Sequence, residues 1–304
     1  MYYDFFPVEF KLSCITPIFK SGDKNNPSNY RPIANLPCAS KVFEYIVYTQ
    51  LYDYFVSKNL LANKQFGFRH RCSTSFSILC NTDYILSHLN QNHSVIALYI
   101  DLSKAFDMVD YSFLLEICKF LYNIETQALD FLNSYLTNRH IVVKFNNSFS
   151  SMHPIKYGVP QGSTLGPFLF LLYINDLLNI KHNNSMITCY ADDTVVLHPI
   201  IDDNCVTQFN IFATSIFDFF SKNHLLLNTD KTRIQFFSHK RKPIISSDTI
   251  IIGNQNFQLV DTYKYLGITI DNKLCFSVQC KKLCTILRYF LGIICNITNF
   301  IHIL

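Results

Sequence analysis

Two adjacent carboxylates, Asp192 and Asp193, lie in the tetrapeptide YADD between apolar runs at residues 186–190 and 195–197. Short apolar runs on both sides of a polar turn predict a β-hairpin that carries the two acids at its tip. Adjacent carboxylates repel each other unless a cation lies between them, and Asp is depleted in strands, so this context favours a metal site. A solvated turn that contains two Asp residues by chance is the alternative that the tetrapeptide leaves open.

A third acid, Asp101, ends a second apolar run. Residues 94–100 (SVIALYI) have the length and composition of a buried strand, so Asp101 is predicted to lie at a strand end. Mg2+ prefers carboxylate oxygens, and two-metal phosphoryl transfer needs carboxylates from more than one chain segment. One strand-end acid and a hairpin pair of acids supply such a set.

Longer segments around these acids follow one another in a recognisable order. The central ones are YIDLSKAFDMVD, GVPQGSTLGPFLFLLYINDL and YADD. They are preceded by CITPIFKSGD, NYRPIANLPCASKVFE and QFGFRHRCST, and they are followed by LLLNTDKTRIQFF and YKYLGITID. Together these segments, which cover roughly residues 11–275, resemble the reverse transcriptase domain of non-LTR (LINE-like) retrotransposons of the YADD type.

The resemblance implies an α+β, right-hand polymerase fold. Fingers would span residues 1–93, the palm 94–238, and a primer-grip hairpin with the start of a truncated thumb 239–304. The implied activity is that of an RNA-directed DNA polymerase, which acts on an RNA template, a DNA primer and a dNTP. Because the chain opens directly in the fingers, without the upstream endonuclease of full-length elements, we expect a fragment.

The same resemblance assigns catalytic roles. Asp101 and Asp192 are the expected principal ligands of two Mg2+ ions, with Mn2+ as a possible substitute, and Asp193 is a weaker or outer partner. Lys231 occupies the position where related polymerases hold a lysine near the leaving pyrophosphate. An ammonium group there can donate a proton or stabilise charge, and the sequence does not separate the two roles.

Three residues are expected to contact the nucleotide from the fingers and the palm. Lys20 and Arg31 flank a polar, turn-rich segment at residues 21–29, which predicts a hairpin whose two ends converge on a triphosphate. The alternative for both is an ordinary solvent-exposed charge. By resemblance, Phe106 lies beneath the sugar and excludes a ribose 2'-hydroxyl, although a core Phe would look the same in sequence.

Gly and Pro residues precede an apolar run at residues 165–178, which predicts a loop that leads into a helix. The resemblance implies that Gln161 contacts the incoming nucleotide and that Gly162 lets the chain approach the template and primer. A plain helix N-terminus capped by Ser163 is the alternative. Further along, Tyr265, Leu266 and Gly267 match a primer-grip turn, although an ordinary β-turn fits equally well.

Composition narrows the remaining choices. The 304 residues are 49% hydrophobic, which is enough for sizeable cores. The net charge is +4, and residues 1–71 contain nine Lys and Arg against five Asp and Glu, so the excess of basic residues lies in the predicted fingers. Such residues can contact template phosphates. The tripeptide at 240–242 (KRK) is expected to be a charged turn rather than an import signal.

No membrane span or secretory signal is predicted, because polar residues interrupt the longest apolar stretches and no apolar leader opens the chain. We therefore expect an intracellular protein, nuclear, cytoplasmic or both, that is not secreted. Two other functions stay open. One is a catalytically inactive, truncated or domesticated remnant that only binds nucleic acid, and the other is a metal-dependent nucleotidyl or glycosyl transferase with an acidic hairpin.

Overall fold

A computed structural model describes residues 5–202, 204–239 and 249–301. The tripeptide at 240–242 lies outside these ranges. The helices of the described residues are α1 Cys38–Ser57, α2 Thr74–Asn90, α3 Tyr111–Glu116, α4 Thr126–Leu136, α5 Gly166–Ile174, α6 Cys205–Lys222 and α7 Ser277–Ile301. The strands are β1 Leu12–Phe19, β2 Tyr30–Asn35, β3 Ser94–Ile100, β4 Arg139–Phe145, β5 Ser148–Phe149, β6 His153–Ile155, β7 Met186–Tyr190, β8 Asp193–Ile200, β9 Arg233–Phe237, β10 Thr249–Ile252, β11 Gln255–Leu259, β12 Thr262–Tyr265 and β13 Ile268–Asp271.

A six-stranded sheet, here called the palm sheet, holds the acidic segments. Its strand order is β10-β11-β9-β3-β8-β7, with β3 antiparallel to both β8 and β9. The predicted strand at residues 94–100 is confirmed, and every residue in it is buried. Because side chains alternate between the faces of a strand, β3 contributes to two hydrophobic clusters, one on each face of the sheet.

Helices and a hairpin cover these two faces. On the first face, α5 is buried along almost its whole length, and the buried side chains of α6 join the same cluster. On the second face, α2 and the two-stranded sheet β12–β13 pack over Val95, Ala97 and Tyr99 of β3. The palm sheet therefore lies between two apolar layers, and Asp101 and Asp193 lie at the ends of its strands β3 and β8.

A second sheet lies in the N-terminal part of the fold. Its strand order is β2-β1-β4-β5, and β6 pairs with β4. Strands β1 and β2 form an antiparallel hairpin, whereas β1 and β4 are parallel. Residues 139–155, which the sequence division assigns to the palm, thus pair with residues of the predicted fingers. The domain boundaries themselves stay a prediction.

The mixture of helices and sheets confirms the predicted α+β class. Among the residues that the structure describes, no helix combines the length and hydropathy needed to cross a bilayer.

Candidate active site

The YADD tetrapeptide forms the tip of a β-hairpin, as predicted. Strands β7 and β8 are antiparallel, and Tyr190 pairs with Asp193, so Ala191 and Asp192 form the two-residue turn between them. Ala191 has a φ of +57°, in the left-handed region that residues other than glycine rarely adopt. This conformation makes the turn tight and sets the direction of the backbone at Asp192.

Asp101 lies at the same end of the palm sheet. Ile100 pairs with Thr194, so the next pair in register is Asp101 and Asp193. Since Tyr99 and Val195 belong to the cluster on the second face, alternation places Asp101 and Asp193 on that face as well. The Asp101 backbone is held by the Asn228 N–H, which donates to its carbonyl at 2.9 Å, and by its own N–H, which donates to Thr232 Oγ1 at 3.2 Å.

The three carboxylates act on one another electrostatically. Burial raises the pKa of Asp192, the charge of Asp101 raises it further, and Lys20 and Arg31 partly offset both effects. Part of the Asp193 side chain is exposed. Burial of the remaining part, together with the charges of Asp192 and Asp101, raises the pKa of Asp193 to about 6. Asp192 and Asp193 are therefore harder to ionise because other acids are near, which is the condition that a bound cation relieves.

The chemistry of this donor set fits a divalent metal, because hard cations prefer carboxylate oxygens and here two strands supply them. These acids are not arranged as a complete metal site, however. Within the described ranges, no group of three or more His, Cys, Asp and Glu side chains is arranged to hold a metal ion. The site residues are thus brought to one place, and their role as ligands stays a prediction.

Cations from the β1–β2 hairpin, in the predicted fingers, face these acids. Arg31 pairs with Ile18 across the β1–β2 hairpin, and Lys20 lies two residues beyond Ile18, so both basic side chains project from one face of the hairpin. Both are exposed, yet both lower the pKa of Asp192. The hairpin predicted between Lys20 and Arg31 is confirmed, and its two cations lie within electrostatic range of the carboxylates.

A further cation, Lys231, approaches from the palm. Its Nζ lies 3.9 Å from Asp101 Oδ2, and its side chain is 60% exposed. An ion pair this open contributes little to stability. Lys231 is therefore available to a ligand at the acidic cluster, and its role near a leaving pyrophosphate stays a prediction.

Gln161 and Gly162 lie where the palm meets the fingers. The side-chain Nε2 of Gln161 donates to Asp107 Oδ1 at 2.9 Å. The backbone carbonyl of Gln161 accepts from the Ala34 N–H of β2 at 2.8 Å. Gly162 has a φ of +119°, and a Cβ there would lie 2.6 Å from the Ala34 carbonyl oxygen. Close packing against β2 is thus a reason for glycine at this position, separate from any approach of template or primer.

Phe106 is half-buried beside this loop. Its ring stacks on Phe170, with centroids 4.5 Å apart, and meets the Phe68 ring edge-on at 6.2 Å. The side chain therefore combines the core contacts of an ordinary Phe with a surface that remains partly open. Its predicted role toward the sugar is left untested by these contacts.

The predicted primer-grip turn is a two-residue β-turn between β12 and β13. Tyr265 pairs with Ile268, and both Leu266 and Gly267 have positive φ, of 45° and 89°. Tyr265 is buried and its hydroxyl shares a hydrogen bond of 2.8 Å with Ser77 Oγ, so this residue anchors the hairpin to α2. Leu266 is half-buried, whereas Gly267 is exposed and a Cβ on it would meet nothing within 4 Å.

Three supporting residues escape sequence reasoning. Glu44 is fully buried, and its Oε2 accepts from the Thr164 and Leu165 N–H groups at 2.7 and 3.2 Å, just before α5. Gln65 and Gly67 contact the YADD turn from the fingers. The segment QFGFRHRCST marks the neighbourhood of Gln65 and Gly67, but no residue pattern within it predicts a contact with the YADD turn.

Comparison with known proteins identifies the family. The sequence profile described as reverse transcriptase (RNA-dependent DNA polymerase) matches residues 20–270. The chain belongs to the reverse transcriptase family. Curated relatives include a probable RNA-directed DNA polymerase from transposon BS of Drosophila melanogaster, 31% identical over 91% of this chain, and an RNA-directed DNA polymerase from the mobile element jockey of the same species, 28% identical over 90%.

These relatives confirm the predicted resemblance to reverse transcriptases of non-LTR retrotransposons. The reverse transcriptase chain spans only 31% and 30% of the length of the two relatives. Among solved structures, apo telomerase from Candida tropicalis, truncated from the C-terminal domain, aligns with a TM-score of 0.58 over 88% of this chain and 55% of its own, at 14% identity. This likeness concerns the fold alone, and it confirms the predicted right-hand polymerase fold.

Proposed function

We propose that this reverse transcriptase domain is an RNA-directed DNA polymerase that extends a DNA primer on an RNA template. The observation that carries the proposal is the meeting of Asp101, Asp192 and Asp193 at one end of the palm sheet, opposite the finger cations Lys20 and Arg31. Basic side chains can bind the phosphates of a substrate, and the carboxylates that face them can bind the cations that accompany those phosphates.

Each side of the cleft has a separate task in this proposal. Arg31 offers a planar guanidinium for bidentate contact with the triphosphate of a dNTP, and Lys20 adds a point charge from the same face of the hairpin. Lys231 lies on the palm side, beside Asp101, where its ammonium group can stabilise the charge of the departing pyrophosphate. The primer 3'-hydroxyl gives up its proton to solvent and attacks the α-phosphorus, and the bond between that phosphorus and the bridging oxygen of pyrophosphate breaks.

Asp101 and Asp192 are the residues that would hold two Mg2+ ions, with Asp193 as an outer partner and Mn2+ as a possible substitute. Divalent ions in such a site lower the barrier by neutralising phosphate charge and orienting the reacting oxygens. The protein contributes rigidity. The Asp101 backbone is fixed by Asn228 and Thr232, so its carboxylate stays at the strand end where Asp193 is its neighbour.

Primer extension tests the proposal directly. A labelled DNA primer is extended on RNA and on DNA templates, with and without Mg2+, and with dNTPs or ribonucleotides. Mg2+-dependent extension with dNTPs on RNA supports the proposal, and Asp101→Asn should remove it. Salt-sensitive template binding without extension would favour the inactive remnant, whereas nucleotidyl or glycosyl transfer that needs no template would favour the other enzyme class.

A further inference from the structure

A segment of the fingers lies along the outer edge of the palm sheet. Strand β7 is the last strand of that sheet, and residues 64–66 run parallel to it. The Cys189 N–H donates to the Lys64 carbonyl at 3.0 Å, and the Phe66 N–H donates to the Cys189 carbonyl at 2.8 Å. The fingers thus cover the sheet edge immediately before the YADD turn.

The side chain of Gln65 extends this contact from the strand to the turn itself. Gln65 is 1% exposed, and its Oε1 accepts from the Ala191 N–H at 3.1 Å and from the Gly67 N–H at 2.9 Å. Its Nε2 approaches the Ala191 carbonyl oxygen at 3.5 Å. One amide group therefore faces both polar backbone groups of Ala191, as a neighbouring strand would.

Ala191 is the residue for which such support matters. Its positive φ is sterically disfavoured for a residue with a Cβ, so the turn needs contacts that hold it in place. Ala191 also directly precedes Asp192, and rotation about its backbone would swing the carboxylate away from Asp101. Gln65 can therefore influence Asp192 without contacting it, because the Gln65 side chain holds the backbone of the preceding residue.

We propose that Gln65 is a positioning residue for the acidic site: its side-chain amide locks Ala191 in the left-handed conformation and so aims Asp192 at Asp101. The inference deepens the proposed polymerase function and rests on it for its catalytic consequence. Its structural part, the lock on Ala191, stands independently of that function.

The test replaces Gln65 with Met, which has a similar length but cannot accept the two N–H donors. The first readout is hydrogen exchange at the Ala191 amide in the protein without nucleic acid, metal or nucleotide. We expect this amide to exchange about tenfold faster or more in Gln65→Met than in the parent, because its hydrogen bond is lost. The second readout is primer extension, where kcat should fall by about 10- to 100-fold while the KM for template and primer stays within about twofold.

Two further variants make the test specific. Gln65→Glu keeps an oxygen that can accept from both N–H groups, so it should restore slow exchange at Ala191. Gln235→Met is the matched control, because Gln235 is also fully buried in the palm sheet but donates to the Asp261 and Ile270 carbonyls instead. In that control, the Ala191 amide should exchange as slowly as in the parent.

Several results would overturn the proposal. One is parental exchange at Ala191 in Gln65→Met, and another is a raised KM for template and primer with unchanged kcat, which would mean that Gln65 contacts nucleic acid. A third is equal loss of extension in Gln65→Met and Gln235→Met at equal loss of melting temperature, which would indicate general destabilisation. If the parent fails to extend primers at all, the polymerase proposal fails, and exchange at Ala191 still decides whether Gln65 locks the turn.

Discussion

Gly67 contacts the YADD turn so closely that the smallest possible substitution should displace the catalytic acids. A Cβ built on Gly67 would lie 2.2 Å from the Ala191 nitrogen and 2.9 Å from both Ala191 Cα and the Tyr190 carbonyl carbon. Ordinary contact begins at 3.4 Å, and all three neighbours are backbone atoms that no side-chain rotation can move. In Gly67→Ala, the turn and the finger segment must therefore separate by about 1.2 Å.

The expected loss of extension rate follows from this separation of about 1.2 Å. A displacement of about 1 Å at a reacting centre lowers rates by about 100-fold, which corresponds to about 2.7 kcal/mol of activation free energy. We expect Gly67→Ala to lose this factor in the rate constant of single-turnover primer extension. The fold should survive, because residues 62–68 belong to neither hydrophobic cluster.

Gly253→Ala provides the control. Gly253 lies in the β10–β11 turn, at the opposite edge of the palm sheet from β7. It has a φ of +56°, and the nearest atom to a Cβ there is Thr214 Oγ1 at 3.8 Å, an ordinary contact. An Ala there costs about 1–2 kcal/mol of stability through its backbone conformation alone. It should lower the melting temperature without changing the extension rate constant of the folded protein. Parental extension by folded Gly67→Ala, or equal rate losses in the two variants, would refute the reasoning.

Three further predictions concern residues around the site. Phe106→Val should raise the ratio of ribonucleotide to deoxynucleotide kcat/KM by about tenfold or more, and an unchanged ratio would remove the role of Phe106 in sugar selection. Because the folded pKa of Asp193 is raised from 3.8 to about 6, the free energy of unfolding of the metal-free protein should fall as pH rises through that window. Urea titrations across pH should show this slope weakened in Asp193→Asn, and an identical slope would contradict the assignment. Glu44→Gln should cost about 1–3 kcal/mol of unfolding free energy in the same titrations, since the Thr164 and Leu165 N–H groups lose a charged acceptor, and parental stability would show that these bonds are dispensable.

Local patterns predicted the elements that carry the acids. The run at 94–100 has strand length and is apolar on both faces, and the structure places it in the middle of the palm sheet. The paired apolar runs around YADD likewise predicted the hairpin. Patterns of this kind report burial directly, because each face of a strand or helix must match its surroundings.

Contacts between residues far apart in sequence could not be predicted from such local patterns. The apolar run predicted as one helix over 165–178 is α-helical as far as Ile174 and continues as a 3-10 helix over Asn175–Asn179. The buried Asn175 accepts from the Ala62 N–H and donates to the Leu60 carbonyl, a contact that the local pattern does not report. The parallel pairing of β1 with β4 joins residues far apart in sequence, and no local periodicity reports it. The lock by Gln65 is of the same kind, since side chain and turn are separated by more than a hundred residues.

The most direct test of the account is primer extension by Asp192→Asn on an RNA template with Mg2+ and dNTPs. The substitution keeps the shape of the side chain and removes a charge that Asp101 repels, so the metal-free variant should melt at or above the temperature of the parent. Its extension rate should fall by about 1,000-fold or more, because the reaction depends on positioned negative charge for its divalent ions. A folded Asp192→Asn protein that extends the primer at nearly the parental rate would contradict the assignment of this cluster as the polymerase site.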